Sequence, residues 1–182
     1  MTQKKKDSKK KKGDNPMREV RLAKLVINMG IGEAGPKLEK AEKLIQSITG
    51  IKPVRTKAKK RIPTWGLRPG LEIGVKCTMR GKKAIEMLKR LLEGMEFKLS
   101  ENNFDKDGNV SFGIKEYITV PGAEYDPKVG IVGFNVNVCL DRKGYRIKLR
   151  RSNQSKIGKN HKISKEDAIS YIKNEFKIEV TK

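Results

Sequence analysis

The chain has 182 residues, a formal net charge of +22 and a pI of about 10.1. This length suits one domain with a real hydrophobic core and is short for two. No apolar run approaches the ~18 residues that span a bilayer, and so large a positive charge favours a polyanionic partner, either nucleic acid or, second, an anionic membrane surface.

The positive charge is concentrated in three segments, 1–12, 52–68 and 141–162. They hold 23 of the 43 Lys and Arg residues and two acids, whereas the other 131 residues hold 20 basic and 19 acidic side chains. A protein that needs charge only for solubility intersperses it. The concentration therefore predicts contacts with phosphate groups.

The first half of the chain predicts a strand, a helix and two further strands. Residues 1–14 are polar and lysine-rich, which predicts a disordered extension, and residues 15–182 are expected to form a single domain. A strand over 18–29, irregular near Lys24, precedes a glycine turn and a helix from Pro36 to Gly50. A short strand at 52–57 leads into a basic loop. Residues 71–80 give the clearest strand alternation.

The second half predicts a helix over about 82–97, a strand from 110 to about 118 and a strand over 134–140. Ser164, with Asp167 three residues further on, forms a capping pair that predicts the start of a last helix. This order predicts an α+β fold: a mostly antiparallel sheet with helices packed on one face, plus basic loops and tails.

The alternation also predicts a polar face on this sheet, with the side chains of Lys76, Thr78, Arg80, Asn135 and Asn137. Such a face could present a platform to RNA. It could equally be an ordinary solvated face. Periodicity alone leaves both possibilities open.

The turn Gly30–Gly35 matches the dinucleotide-binding pattern after a strand and before a helix. The carboxylate of Glu33 would lie near the pyrophosphate, and Pro36 places the helix start after the third glycine. No acidic residue stands about twenty positions on, where ribose would be bound. A tight turn is favoured over a nucleotide site.

A calcium-loop pattern also falls short of a site. Asp105, Asp107, Asn109 and Glu116 resemble a calcium loop but lack its glycine, because Val110 occupies that position, and a hairpin turn is favoured. The sequence therefore predicts no catalytic residue, no metal, no cofactor and no small-molecule substrate.

The histidine lacks the neighbours that a catalytic base requires, and the two cysteines are not spaced for a disulfide framework or a metal site. His161 lies in a basic tail and is expected to be exposed or to face a phosphate, not to act in catalysis. Cys77 and Cys139 are far apart, which predicts reduced, half-buried thiols in a cytosolic protein.

The segment 57–70 is a loop, because glycine and proline interrupt any regular structure. Trp65 could stack on an unpaired base, or could fold back onto the core, and we favour the contact with RNA. The basic residues that would hold phosphates are Lys57, Lys59, Lys60, Arg61 and Arg68. In the tail, five basic residues are expected to neutralise phosphates: Arg142, Arg146, Lys148, Arg150 and Arg151.

Over residues 15–180 the sequence resembles the L5 family of large-subunit ribosomal proteins, in its archaeal branch. The runs that carry the resemblance are Asn15–Val20, Val26–Ala34, Thr49–Lys60, Gly74–Gly81 and Asn109–Glu116. The resemblance implies a cytoplasmic, non-enzymatic component of the ribosome, with no membrane partner.

The resemblance further implies that the protein lies in the central protuberance, joins 5S rRNA to large-subunit rRNA and neighbours other ribosomal proteins. It places the loop around 57–70 toward the peptidyl-site tRNA and the sheet against 5S rRNA, through Asn28 and Thr78. Lys76 and Arg80, on the same predicted face, are added to that site. Many family members have glutamine where this chain has Ile51, so a side-chain hydrogen bond to RNA is not expected there.

Overall fold

The computed structural model describes residues 15–127 and 129–181, so the predicted extension at 1–14 lies outside the described residues. The chain forms three helices and seven strands there. In chain order they are β1 (Val20–Gly30), α1 (Pro36–Thr49), β2 (Val54–Lys57), β3 (Glu72–Met79), α2 (Lys82–Glu93), β4 (Lys98–Ser100), β5 (Val110–Ile114), β6 (Phe134–Arg142), α3 (Lys165–Phe176) and β7 (Glu179–Thr181).

Five strands form one antiparallel sheet in the order β2-β3-β1-β6-β5, with β1 at its centre. The helices pack on one face, α1 beside β3 and α2 and α3 beside β1, which confirms the predicted α+β fold. Alternate residues of the central strands are buried beneath the helices: Leu25, Ile27, Met29, Val75, Cys77, Met79, Val136 and Val138. Each buried aliphatic side chain of this kind contributes about 1.5–3 kcal/mol to folding. The predicted irregularity near Lys24 is a shift of register between Leu22 and Lys24.

Two elements end earlier than the sequence pattern predicts. The second helix stops at Glu93 instead of running to 97, because Glu96 and Phe97 adopt positive φ angles of 52° and 55°, which a helix cannot contain. Strand β5 stops at Ile114 because a 3₁₀ turn follows at Tyr117–Thr119. Conversely, β6 runs to Arg142, into the segment predicted as a basic tail.

A second, two-stranded sheet pairs β4 with β7 in parallel. The sequence did not predict it, because strands of three residues are too short to show alternation. This pair attaches the C-terminal end of the described chain to the segment that follows α2.

The start of α3 is held by a capping box. The Ser164 hydroxyl accepts from the Asp167 backbone N–H at 3.2 Å, and the Asp167 carboxylate accepts from the Ser164 N–H at 3.1 Å. Replacing Ser164 with alanine is expected to lower the free energy of unfolding by about 1 kcal/mol. Urea denaturation would measure this, with exposed Ser170→Ala on the same helix as the control. Equal losses in the two variants would contradict the capping role.

Candidate nucleic-acid interface

The face of the sheet opposite the helices is polar, and we call it the open face. Its register places one residue from each strand in a transverse row. Asn28 stands at the centre, opposite Lys76 on one side and Asn135 on the other. Val54 extends the row beyond Lys76, and Gly113 extends it beyond Asn135. Residues predicted from separate parts of the sequence are thus brought side by side.

A second row lies next to the first and consists of Thr78, Val26, Asn137 and Ser111. Neither row contains a carboxylate. The side chains of Asn28, Lys76 and Asn135 form no hydrogen bond or ion pair with any residue in the described part of the chain. Polar groups without partners inside the protein are available to a ligand. The two amides can donate and accept hydrogen bonds, and Lys76 can pair with an anion.

A shallow depression of about 520 Å³ lies at the end of the open face where β1 ends and β6 begins. Its lining includes Asn28, Asn135, Gly30, Gly113 and Gly133. Nothing lies within 4 Å of the place where a Cβ of Gly30 would be, so a ligand can approach the backbone there. A Cβ at Gly133 would instead lie 2.6 Å from the Ile114 and Lys115 carbonyl oxygens, so that glycine is needed for packing within the fold. Sequence reasoning missed this depression and Lys115 on its edge, because strand pairing alone brings the residues together.

The basic loop between β2 and β3 is closed at its base and at its tip. The Ala58 N–H donates to the Leu71 carbonyl at 2.8 Å, and the Gly70 N–H donates to the Ala58 carbonyl at 3.0 Å. Nearer the tip, Ile62 and Leu67 exchange two backbone hydrogen bonds of 3.0 Å. The loop is therefore an ordered hairpin, held by backbone hydrogen bonds at two levels.

The side chains of this loop separate by polarity. Ala58, at the base, and Leu67, nearer the tip, are buried, whereas all five predicted basic residues are exposed and form no ion pair with other described residues. Trp65 is 72% exposed, so the alternative in which it folds back onto the core is wrong. The loop presents a flat aromatic ring beside unpaired cations.

Arg55 holds the strand that leads into this loop. Its Nε lies 2.8 Å from Glu42 of α1, and its Nη1 lies 3.0 Å from Glu72 of β3. One guanidinium thus ties β2 to the neighbouring strand and to the covering helix.

The predicted basic tail contains two kinds of residue. Arg146, Lys148, Arg150 and Arg151 are exposed. Arg142 is different: its side chain is 9% exposed, and its Nη2 lies 2.8 Å from Asp167 Oδ2. Its Nη1 donates to the Lys162 carbonyl at 3.3 Å. Because this guanidinium is used inside the fold, the structure contradicts the predicted rRNA contact of Arg142.

His161 is half-buried and has partners within the chain, so the expectation of a solvent-exposed histidine is wrong. Its ring packs edge-on against Tyr145, with the ring centroids 5.8 Å apart. Its Nε2 donates to the Lys143 carbonyl at 2.9 Å. The segment predicted as a tail is therefore folded against the body around Tyr145, which is itself buried.

The turn Gly30–Gly35 uses its backbone donors internally. The Ile31 and Gly32 N–H groups both donate to the Ile73 carbonyl, at 3.0 and 2.9 Å. Gly32 and Gly35 have positive φ angles of 82° and 127°, which is the conformational need that glycine meets. Two of the N–H groups that would bind a phosphate are thus occupied. This supports the interpretation of the segment as a tight turn and not as a nucleotide-binding site.

The described ranges 15–127 and 129–181 hold no group of three His, Cys, Asp or Glu side chains placed to bind a metal ion. Both cysteines are free thiols, Cys77 buried and Cys139 half-buried. Within the same ranges, none of the helices has the length and apolar character to cross a membrane.

The helix-covered antiparallel sheet, with one open polar face and an exposed basic loop, defines an α+β protein with polar and cationic surfaces. A sequence model described as ribosomal protein L5 matches residues 15–68, and a second model, for the C-terminus of the same ribosomal family, matches residues 72–171. The chain belongs to the ribosomal protein L5 family.

Similar proteins are named large ribosomal subunit protein uL5. The protein from Nanoarchaeum equitans is 45% identical over 92% of this chain and 99% of its own. The protein from Sulfolobus acidocaldarius is 44% identical over 93% and 95%, and that from Methanoregula boonei 44% over 90% and 99%. The predicted resemblance to archaeal members is confirmed. As a ribosomal protein of this family the chain is a structural component of the cytoplasmic ribosome and not an enzyme.

Proposed function

We propose that this protein binds 5S rRNA through the open face, joins it to large-subunit rRNA in the central protuberance and contacts the peptidyl-site tRNA through the basic loop. Membership of the L5 family supports a role in the large subunit. Other ribosomal proteins of the protuberance are its expected neighbours.

The open face carries the proposal for 5S rRNA. Its central row joins amide donors and acceptors of Asn28 and Asn135 to the ammonium of Lys76, with no carboxylate in the row. Amides can pair with base edges or 2′-hydroxyls, and lysine can neutralise a phosphate. Thr78 lies in the adjacent row, and exposed Arg80 follows directly after β3.

The loop and the exposed tail residues supply separate cationic surfaces. The loop offers Trp65 for stacking and five unpaired cations for phosphates. Arg146, Lys148, Arg150 and Arg151 are proposed for large-subunit rRNA. Three surfaces on different parts of the fold suit a protein that links several RNA molecules.

Specific recognition can be tested by comparing 5S rRNA with random duplex DNA of equal length at physiological salt, by filter binding over a series of salt concentrations. We expect 5S rRNA to bind at least 100-fold more tightly, because duplex DNA offers phosphates but not the shape or unpaired bases of this RNA. Equal affinities would end the proposal of specific RNA recognition.

The loop is tested by replacing Lys59, Lys60 and Arg61 with alanine together. Removal of three phosphate contacts should weaken peptidyl-site tRNA binding to reconstituted large subunits by about tenfold while 5S rRNA binding changes less. The control removes three exposed lysines of α2, Lys82, Lys83 and Lys89, and so matches the loss of charge. A larger loss of 5S rRNA binding than of tRNA binding would show that the two surfaces are wrongly assigned.

A further inference from the structure

A concave cleft lies between the turn at 105–109, the end of β6 and the segment 145–163, apart from the open face and the basic loop. Its volume is about 520 Å³, within the range of small-ligand sites. The floor is apolar and consists of Leu140, Tyr145, Ile157 and Ile163. A flat apolar group could rest on such a floor.

The rim of the cleft is cationic. Its lysines are Lys148, Lys156, Lys159 and Lys162, all of them exposed. None forms an ion pair within the described ranges of the chain, and the lining contains one carboxylate, that of Asp107. The Lys148 ammonium lies 5.0 Å from the centre of the Tyr145 ring. Like charges gathered around one cleft repel one another until an anion neutralises them.

The walls of the cleft are fastened together without a ligand. The Tyr145 hydroxyl accepts from the Ile163 N–H at 2.9 Å and donates to the His161 carbonyl at 3.3 Å. On the opposite wall, Gly108 has a φ of 77° and sits so close to Ile163 that a Cβ there would lie 2.5 Å from Cγ2. A ligand would therefore find the cleft already formed, which lowers the cost of ordering it.

We propose that this cleft binds one unpaired nucleotide of an RNA strand, with its phosphates on the lysine rim and its base on the apolar floor. Single-stranded RNA offers both a phosphate and an unpaired base, whereas duplex RNA keeps its bases stacked inside. The neighbouring exposed residues Arg146, Arg150 and Arg151 would follow the strand onward. The inference rests on the proposed function only in taking ribosomal RNA as the natural source of the strand.

The test titrates the full-length protein with hexauridylate, its abasic analogue of the same length, a hexamer duplex and an acidic hexapeptide. Affinity is measured by fluorescence anisotropy, and NMR shifts of the Ile157 and Ile163 amides report binding in the cleft. Lys156→Gln with Lys159→Gln is the cleft variant. Lys82→Gln with Lys89→Gln on α2 is the control of equal charge.

We expect hexauridylate to bind more tightly than the other three probes and to shift both amides. The cleft variant should bind it about tenfold more weakly, and the control less than twofold. Equal losses in the two variants, or equal binding of the abasic strand, the duplex or the peptide, would overturn the inference. If the wild-type protein binds hexauridylate in the cleft but does not bind 5S rRNA, the inference about the cleft stands and the proposed function is wrong.

Discussion

Replacing Lys76 with glutamate is expected to weaken 5S rRNA binding about 100-fold at physiological salt. The change removes one cation from the central row of the open face and places a carboxylate directly opposite Asn28. A lost phosphate contact and a new repulsion act together, in a row that otherwise contains no acidic residue. Filter binding with labelled 5S rRNA gives the affinity. The slope of log affinity against log salt concentration should decrease by the amount that corresponds to about one phosphate contact.

Lys83→Glu on α2 is the matched control, because it makes the same change of charge at an exposed position on another element. Lys76 is exposed, so unfolding by urea should differ from the wild type by no more than about 0.5 kcal/mol in both variants. Equal loss of RNA binding in the two variants would mean that net charge, and not the open face, determines affinity.

Replacing Arg142 with alanine is expected to lower the free energy of unfolding by about 3 kcal/mol. Breaking a buried ion pair costs about 3–5 kcal/mol, and the lower end applies because the Asp167 side chain is 41% exposed. The carbonyl of Lys162 loses a donor at the same time. Urea denaturation measures the change, and Arg146→Ala, at an exposed position in the same segment, should cost less than about 0.5 kcal/mol.

The stability that Arg142 provides should depend on pH through Asp167. Burial alone would raise the pKa of Asp167, but hydrogen bonds from the Ser164 backbone and hydroxyl, together with the Arg142 guanidinium, outweigh it and lower that pKa. A lowered folded-state pKa stabilises the protein above the unfolded value of about 3.9, and this stability is lost as pH falls through the folded value. The difference between wild type and Arg142→Ala should therefore be full above pH ~5 and shrink in acid. A difference independent of pH would remove Asp167 from the explanation.

Strands and helices with long, regular patterns could be predicted from the sequence. Alternation over 71–80 identified β3 and its buried face, and the spacing of Ser164 and Asp167 identified the start of α3. The burial of Arg142 could not be predicted from the sequence. Strand β6 continues its alternation into a basic segment, where a charged side chain is expected to belong to an exposed tail. Its partner Asp167 lies on another element, and no local pattern indicates that contact.

The candidate interface divides in the same way. The basic loop residues could be predicted because they lie within twelve positions of one another, and Trp65 because of its residue type. The central row of the open face depends on register between strands that are distant in sequence. Alternation placed Asn135 on the polar face, but only the fold shows that it lies beside Asn28, with Gly113 next to it. The lysine-rimmed cleft depends on a tertiary contact between Gly108 and Ile163, which sequence spacing does not reveal.

The central position of β1 also sets the order in which the protein can mature. Its neighbour on one side, β3, follows within the first half of the chain, but its other neighbour, β6, is synthesised much later. Leu22, for example, pairs with Leu140 and cannot do so until that residue has been added. Pairing across such a separation is slow because a long loop must close first. Since Asn28 and Asn135 become neighbours only in that step, a growing chain carries no complete open face. The RNA binding that we propose for this face therefore requires that translation has passed β6.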